Sequence, residues 1–232
     1  NIKNIDALVL LTETQKKQVS KQFGDYNNAY VIPNATRTEQ LFEGEKDYNL
    51  ISIVGRYHSD KIMDEAIKAF NIVKESYPNA KLQLFGSGPE EAALRQLVSE
   101  LGLDNSVSIN SFTTELTEVY GKSLFTVLTS KYEGFGLVVL ESMYQKTPVI
   151  SYNVSFGPGD IIDHNVNGVL VFDNSVEQLA KEMKRLLANP QMAISMGIEA
   201  HQKVLDNYTY EQYVNKWDDL IKSLDSNAIE NE

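Results

Sequence analysis

Leu124-Phe125-Thr126-Val127-Leu128-Thr129 runs directly into Ser130-Lys131-Tyr132-Glu133-Gly134-Phe135-Gly136-Leu137-Val138-Val139-Leu140-Glu141, and this junction decides how the chain folds. The first six residues are apolar or β-branched, as in a buried strand, whereas those after Phe135 are helix formers. Gly134 and Gly136 therefore sit at a strand-to-helix turn. Free backbone N–H groups and the positive end of the helix dipole make such a turn an anion site, and the missing Cβ lets a ligand approach the backbone. Glu141 falls in the second turn among Leu137, Val138, Leu140 and Met143, where a carboxylate is costly to bury unless it is hydrogen-bonded. On these residues alone two readings stand. Either Glu133 and Glu141 hold a ligand, or Glu133 complements the helix dipole while Glu141 emerges on a narrow solvated stripe.

Outward from this junction, apolar strand patterns alternate with amphipathic helix patterns from Leu50 onward, the signature of a parallel sheet covered by helices on both faces. Strands are predicted at Leu50–Val54, Leu82–Phe85, Val107–Ile109, Leu124–Thr129, Val149–Tyr152 and Val169–Phe172. Helices are predicted at Met63–Lys74, Glu90–Leu101, Thr114–Tyr120, Phe135–Tyr144 and Val176–Ala188, with Pro78, Gly102, Pro148 and Pro190 as punctuation. This is an α/β chain with a Rossmann-like sheet. The first segment stands apart: Ala7–Leu11 reads as a strand, Thr14–Phe23 as a helix and Tyr30–Asn34 as an extended exit. A last helix pattern covers Tyr210–Leu224, with Tyr213, Val214, Trp217, Leu220 and Ile221 on one stripe.

The 232 residues have room for one large α/β domain, or one domain and part of a second. No apolar run reaches the roughly 18 residues of a transmembrane helix. A net charge of −11 opposes a broad nucleic-acid surface and polybasic attachment to anionic lipid. The absence of cysteine excludes disulfides and thiolate chemistry and fits a reducing compartment. No signal peptide is visible, and the polar start at Asn1, without an initiator Met, leads us to expect a fragment of a longer polypeptide.

Several further motifs follow strand ends. Gly55-Arg56-Tyr57-His58-Ser59-Asp60-Lys61 lies at the carboxyl end of a strand, where α/β sheets bind ligands, and a guanidinium with an ammonium suits a diphosphate. Gly86-Ser87-Gly88-Pro89-Glu90-Glu91 has the outline of a dinucleotide fingerprint, but Glu91 occupies the third glycine position and opposes pyrophosphate, so a structural turn is the better reading. That interruption counts against a nicotinamide-dependent oxidoreductase. Ser111-Phe112-Thr113 follows another strand. His58, His164 and His201 are isolated, no D-x-D element is present, and neither a G-x-S-x-G elbow nor a thiol nucleophile occurs.

The string E-G-F-G-L-x-x-x-E at Glu133–Glu141, followed by Pro148-Val149-Ile150, resembles the signature of retaining GT-B glycosyltransferases of family 4, and Gly55–Lys61 matches that family's G-R-x4-K element. Phe156-Gly157-Pro158-Gly159-Asp160-Ile161-Ile162 looks like a bacterial subgroup that sugar-modifies wall teichoic acids or serine-rich surface proteins. Two positions depart from the pattern: Ile62 and Lys146 stand where glycine is usual. The resemblance implies that residues 35–205 are the donor-binding, C-terminal Rossmann-like domain. Residues 1–34 would then be the end of the N-terminal acceptor-side domain, and 206–232 a crossover helix and tail. A helix packed on its own sheet is equally compatible with that last segment. The implied reaction moves a hexose from UDP-glucose or UDP-N-acetylglucosamine, with the α-configuration kept, to a hydroxyl on a polyol-phosphate polymer or a Ser-rich protein. Arg56, Lys61 and the backbone at Gly134, Phe135, Gly136 and Leu137 would hold the diphosphate and sugar, Glu141 the ribose, and Phe112 and Thr113 the base. Glu133, with Arg56 and Lys61, would be catalytic, without any metal or other cofactor. A silent partner subunit would lose this charged set, and all of it is present. The resemblance further implies a cytoplasmic location, with any attachment to the inner membrane face made by other parts of the protein. It is compatible with a homo-oligomer or a heteromeric partner, and little or no transfer is expected from this chain without the rest of the N-terminal domain.

Overall fold

The computed structural model describes residues 5–24, 27–36 and 40–230. Residues 1–4 and 231–232, counted above into the flanking segments, lie outside the described residues. The chain opens with β1 (Leu8–Leu10), α1 (Glu13–Phe23) and β2 (Ala29–Val31), whose strands pair in parallel as a sheet of their own. Next come β3 (Asp47–Val54), α2 (Met63–Lys74), β4 (Lys81–Phe85), α3 (Glu91–Glu100), β5 (Val107–Asn110) and α4 (Leu116–Lys122). The second half holds β6 (Ser123–Leu128), α5 (Leu137–Tyr144), β7 (Val149–Tyr152), α6 (Pro158–Ile161), β8 (Gly168–Val171), α7 (Val176–Ala188), α8 (Pro190–Asn207) and α9 (Tyr210–Glu230).

The six strands from β3 to β8 form one parallel sheet in the order β5-β4-β3-β6-β7-β8. All six residues of β6 are buried, as the unbroken apolar run requires of a central strand covered on both faces. One core cluster joins the sheet to α2 and α7 through Phe70, Val73, Leu179 and Met183, and a second joins it to α5 and α8 through Val139, Met143, Ala200 and Val204. Sequence neighbours β3 and β4 lie side by side, whereas the other neighbour of β3 is β6, registered Ile51 to Phe125. The strand order reverses there, and in open α/β sheets a ligand crevice forms at the carboxyl ends of such a pair. Lys46, just before β3, ties the seam from below by donating to Gly121 O (3.1 Å), Ser123 O (3.0 Å) and Thr147 Oγ1 (2.6 Å). Burial pulls its pKa down to about 8, so the ammonium needed for three acceptors persists at neutral pH.

The predicted strands match to within a few residues. The sequence reading passes over two helices, the four-residue α6 and the longer α8, the latter by treating Pro190 as a break. Pro190 is instead the first helical residue, and Asn189 caps the helix by accepting from Met192 N at 3.2 Å. The buried residues of α8 include Ala193, Gly197 and Ala200, small side chains that give a weak apolar signal.

Both positions where glycine was expected adopt the backbone that glycine favours. Ile62 caps α2 at φ 35°, and Lys146 follows α5 at φ 55°. Lys146 N bonds Met143 O at 3.0 Å and Thr147 N bonds Ser142 O at 3.1 Å, the paired bonds of a Schellman ending with lysine in the left-handed place. An L-residue pays about 1–2 kcal/mol there, partly offset by the larger unfolded-state freedom of glycine. Lys146 is exposed and has little packing to lose. Lys146→Gly is therefore expected to stabilise the chain by about 0.5–1 kcal/mol, raising Tm by roughly 1–4 °C in a scan. A lower Tm would refute the strain argument.

Candidate functional site

The loop after β3 is held by the turn after β4. Tyr57 N donates to Ser87 O at 2.9 Å and Glu90 N to Tyr57 O at 3.1 Å. At Gly86 an added Cβ would lie 1.9 Å from Gly55 O, so the glycine turn exists to let two backbones touch. Tyr57 is fully buried, its hydroxyl donating to Asn110 O at 2.6 Å, which anchors the loop from within. From there the chain reaches Lys61. Its carbonyl accepts from Thr129 Oγ1 at 2.9 Å, and Lys131 N donates to Asp60 O at 2.8 Å, stitching the loop to the end of β6.

Across the seam, Lys61 Nζ meets Glu133 Oε1 at 2.5 Å, with side chains 15% and 11% exposed. Ser130 Oγ donates to the same oxygen at 2.7 Å. Lys61 and Glu133 line a cavity with Gly55, Thr129, Gly136 and Leu137. Gly136 is the N-cap of α5, left-handed at φ 94°, and has no side chain with which to cap the first amides of the helix. Val139 N is bonded to Gly136 O at 2.9 Å, which leaves the amides of Leu137 and Val138, two residues that line the cavity, as the donors a helix N-terminus offers an anion. The Phe135 ring is buried, packed edge-on against Tyr208 with centroids 6.0 Å apart, so a ligand at this turn meets only the Phe135 backbone.

Glu141 lies one helical turn beyond Leu137, on the same face of α5. Both border a second cavity of about 440 Å³, shared with Asn34, Ala35, Thr36, Tyr210 and Tyr213. Tyr120 OH donates to Glu141 Oε2 at 2.9 Å. Burial raises the Glu141 pKa above the ordinary carboxylate value, and the Tyr120 bond partly counters it. Burial and the neighbouring carboxylate push the Tyr120 hydroxyl well above its usual range, so it remains a donor.

Lys61, Glu133, Gly136, Leu137 and Glu141 thus fall on two cavities that share Leu137 in their walls. Arg56, with a side chain 72% exposed, has its guanidinium 3.5 Å from Asp60. Phe112 is 69% exposed after β5, and Thr113 Oγ1 accepts from Glu115 N at 3.1 Å. The sequence reading missed Tyr120 and Ser130. Ser130 lies in the quoted stretch, three residues before the carboxylate it bonds; Tyr120 meets Glu141 only through the packing of α4 on α5. Among the described residues, no group of three or more His, Cys, Asp or Glu could hold a metal ion, and no helix is long and apolar enough to cross a membrane.

A parallel sheet with a reversal in strand order, a basic loop on one side and a helix N-terminus on the other, defines the C-terminal Rossmann-like half of a GT-B fold. Comparison with known proteins agrees. The Glycosyl transferases group 1 family matches residues 17–203, and the chain belongs to it. It is 26% identical to a poly(ribitol-phosphate) alpha-N-acetylglucosaminyltransferase of Staphylococcus aureus (strain COL), over 96% of this chain and 45% of that protein. It is 33% identical to an exopolysaccharide phosphotransferase of Streptomyces coelicolor, over 95% of this chain and 24% of that one. Among solved structures, a mutant of S. aureus TarM in complex with Fondaparinux, alpha-GlcNAc-glycerol and UDP superposes with a TM-score of 0.87 at 26% identity, covering 94% of this chain and 45% of TarM. The chain therefore spans less than half the length of these proteins.

Proposed function

We propose that this chain is the donor-binding half of a retaining glycosyltransferase that takes UDP-N-acetylglucosamine or UDP-glucose and transfers the hexose to a hydroxyl of a polyol-phosphate polymer. The observation that carries this reading is the Lys61–Glu133 pair set across the seam from the uncapped start of α5. A diphosphate entering there would take the Lys61 ammonium and the amides at Leu137, and would release Glu133 toward the sugar. Arg56 would swing in from solvent, since its exposed contact with Asp60 holds it weakly. These positive groups would stabilise charge growing on the leaving diphosphate, replacing a divalent cation in that role. Glu133 would hold the sugar hydroxyls and favour positive charge at the anomeric carbon, while the acceptor oxygen attacks from the leaving-group side and so keeps the configuration. Glu141 would accept from the ribose hydroxyls with the oxygen that Tyr120 leaves open, and Phe112 and Thr113 would lie beside the base. The similarity to TarM, solved with UDP, supports the choice of nucleotide.

Calorimetry with UDP, UDP-glucose, UDP-N-acetylglucosamine and NAD, with and without a chelator, tests the proposal. UDP and at least one UDP-sugar should bind equally well in chelator; binding of NAD alone, or loss of UDP binding on chelation, overturns it. A pH series adds a second check. The ribose bond needs the carboxylate form, and burial sets the Glu141 pKa above the ordinary carboxylate value, so affinity should decline as pH falls toward that raised value. Glu141→Gln should lower affinity at neutral pH by about 1.5–3 kcal/mol and remove this decline.

A further inference from the structure

We infer that Gln15 is a positioning residue for the sugar-facing turn Glu133–Gly136, coupling the first α/β unit to the donor site. The inference rests on the donor-binding role proposed above. Gln15 is held at both ends of its amide: Oε1 accepts from Leu11 N at 2.9 Å, and Nε2 donates to Gly134 O at 2.7 Å. A Cβ built at Gly134 would meet no atom within 4 Å, so that side of the residue is open. The bond from α1 is a direct hold on the orientation of the Gly134 peptide.

The adjacent residue grips the same turn from its other side. Thr14 Oγ1 donates to Asp160 Oδ1 at 2.7 Å, and Thr14 N reaches the same oxygen at 3.3 Å. The other oxygen of Asp160 accepts from Gly157 N at 3.2 Å. Gly157 in turn lies against the turn itself, since a Cβ there would stand 2.3 Å from Phe135 O. Two neighbouring residues in the first turn of α1 thus hold Gly134 directly and Phe135 through the Asp160–Gly157 loop. This gives the Gly-Pro-Gly-Asp segment a use that its sequence did not disclose. A shift of the β1-α1-β2 unit would move the peptides between Glu133 and Gly136, so movement on the acceptor side is transmitted to the sugar pocket rather than to the diphosphate, which Lys61 and the α5 amides hold independently.

The test is calorimetry of Gln15→Ala in this chain with UDP and with whichever UDP-sugar binds the unaltered protein. The expected result is a loss of about 3- to 10-fold in UDP-sugar affinity, the range of one neutral hydrogen bond, with UDP affinity within about twofold of the starting value. Gln18→Ala, on the same helix and exposed, serves as the control and should change neither. Equal losses for both ligands, or no loss for the sugar nucleotide, would overturn the inference while leaving the donor reading intact. Failure of the unaltered chain to bind UDP would instead sink the donor reading on which it stands. A fall in Tm without a change in the ratio of the two affinities would assign Gln15 a structural role only and likewise refute the proposal.

Discussion

Lys61→Met is expected to weaken UDP binding by about 2–4 kcal/mol, roughly 30- to 1000-fold, because it removes a phosphate partner and leaves Glu133 uncompensated beside the incoming anion. The same change should destabilise the empty protein. A carboxylate only 11% exposed loses the ammonium 2.5 Å away, and breaking a largely buried pair from one side is strongly unfavourable. The two losses separate in the double variant Lys61→Met/Glu133→Gln, in which the remaining amide carries no charge and Ser130 can still bond it. Chemical denaturation should show most of the stability restored, while calorimetry should show UDP binding still weak. Were the double variant to bind UDP as well as the parent, the pair would be a structural strut and the diphosphate would sit elsewhere.

Gly86→Ala is expected to cost about 3 kcal/mol of stability and to lower Tm by roughly 6–12 °C. The new methyl would stand 1.9 Å from Gly55 O, a backbone atom that cannot turn aside as a side-chain tip can. Relief requires moving either the turn after β4 or the loop that carries Arg56 and Lys61, so UDP affinity should fall together with Tm. Gly134→Ala makes the fair comparison, because nothing lies within 4 Å of the added methyl and its stability should remain within about 0.5 kcal/mol of the parent. Similar Tm values for the two variants would mean that the β3 and β4 loops adapt freely and do not fix the site.

Half of the sheet was legible because β6, β7 and β8 are buried throughout and read as unbroken apolar runs, and Val149–Tyr152 and the helix Met63–Lys74 are found where their patterns end. What escaped the sequence was carried by contacts between distant segments or by unusual backbone. α8 hides its face behind Ala193, Gly197 and Ala200, and Gly197 is small because a Cβ there would lie 2.1 Å from Lys146 O. Ile62 and Lys146 break the rule that left-handed positions carry glycine, so the residues themselves gave no turn signal and only the family pattern marked their places. At the site, Lys61, Glu133 and Glu141 stood out as charges at strand ends or among apolar neighbours. Tyr120, Gln15 and Asp160 did not, since each acts through a partner 21 or more residues away.

The seam between β3 and β6 also has a kinetic side. Units such as β3-α2-β4 and β6-α5-β7 close over short stretches of chain, whereas pairing Ile51 with Phe125 must wait for everything between them to be gathered in. That pairing belongs to a late stage of assembly. The cleft lies across it, with Gly55 and Lys61 on one bank and Thr129, Glu133 and Leu137 on the other. A molecule bound in the cleft exists only once the banks have met, so it would leave the speed of assembly unchanged and slow the parting of the two halves. Occupancy would then appear first as resistance to proteolysis, before any turnover.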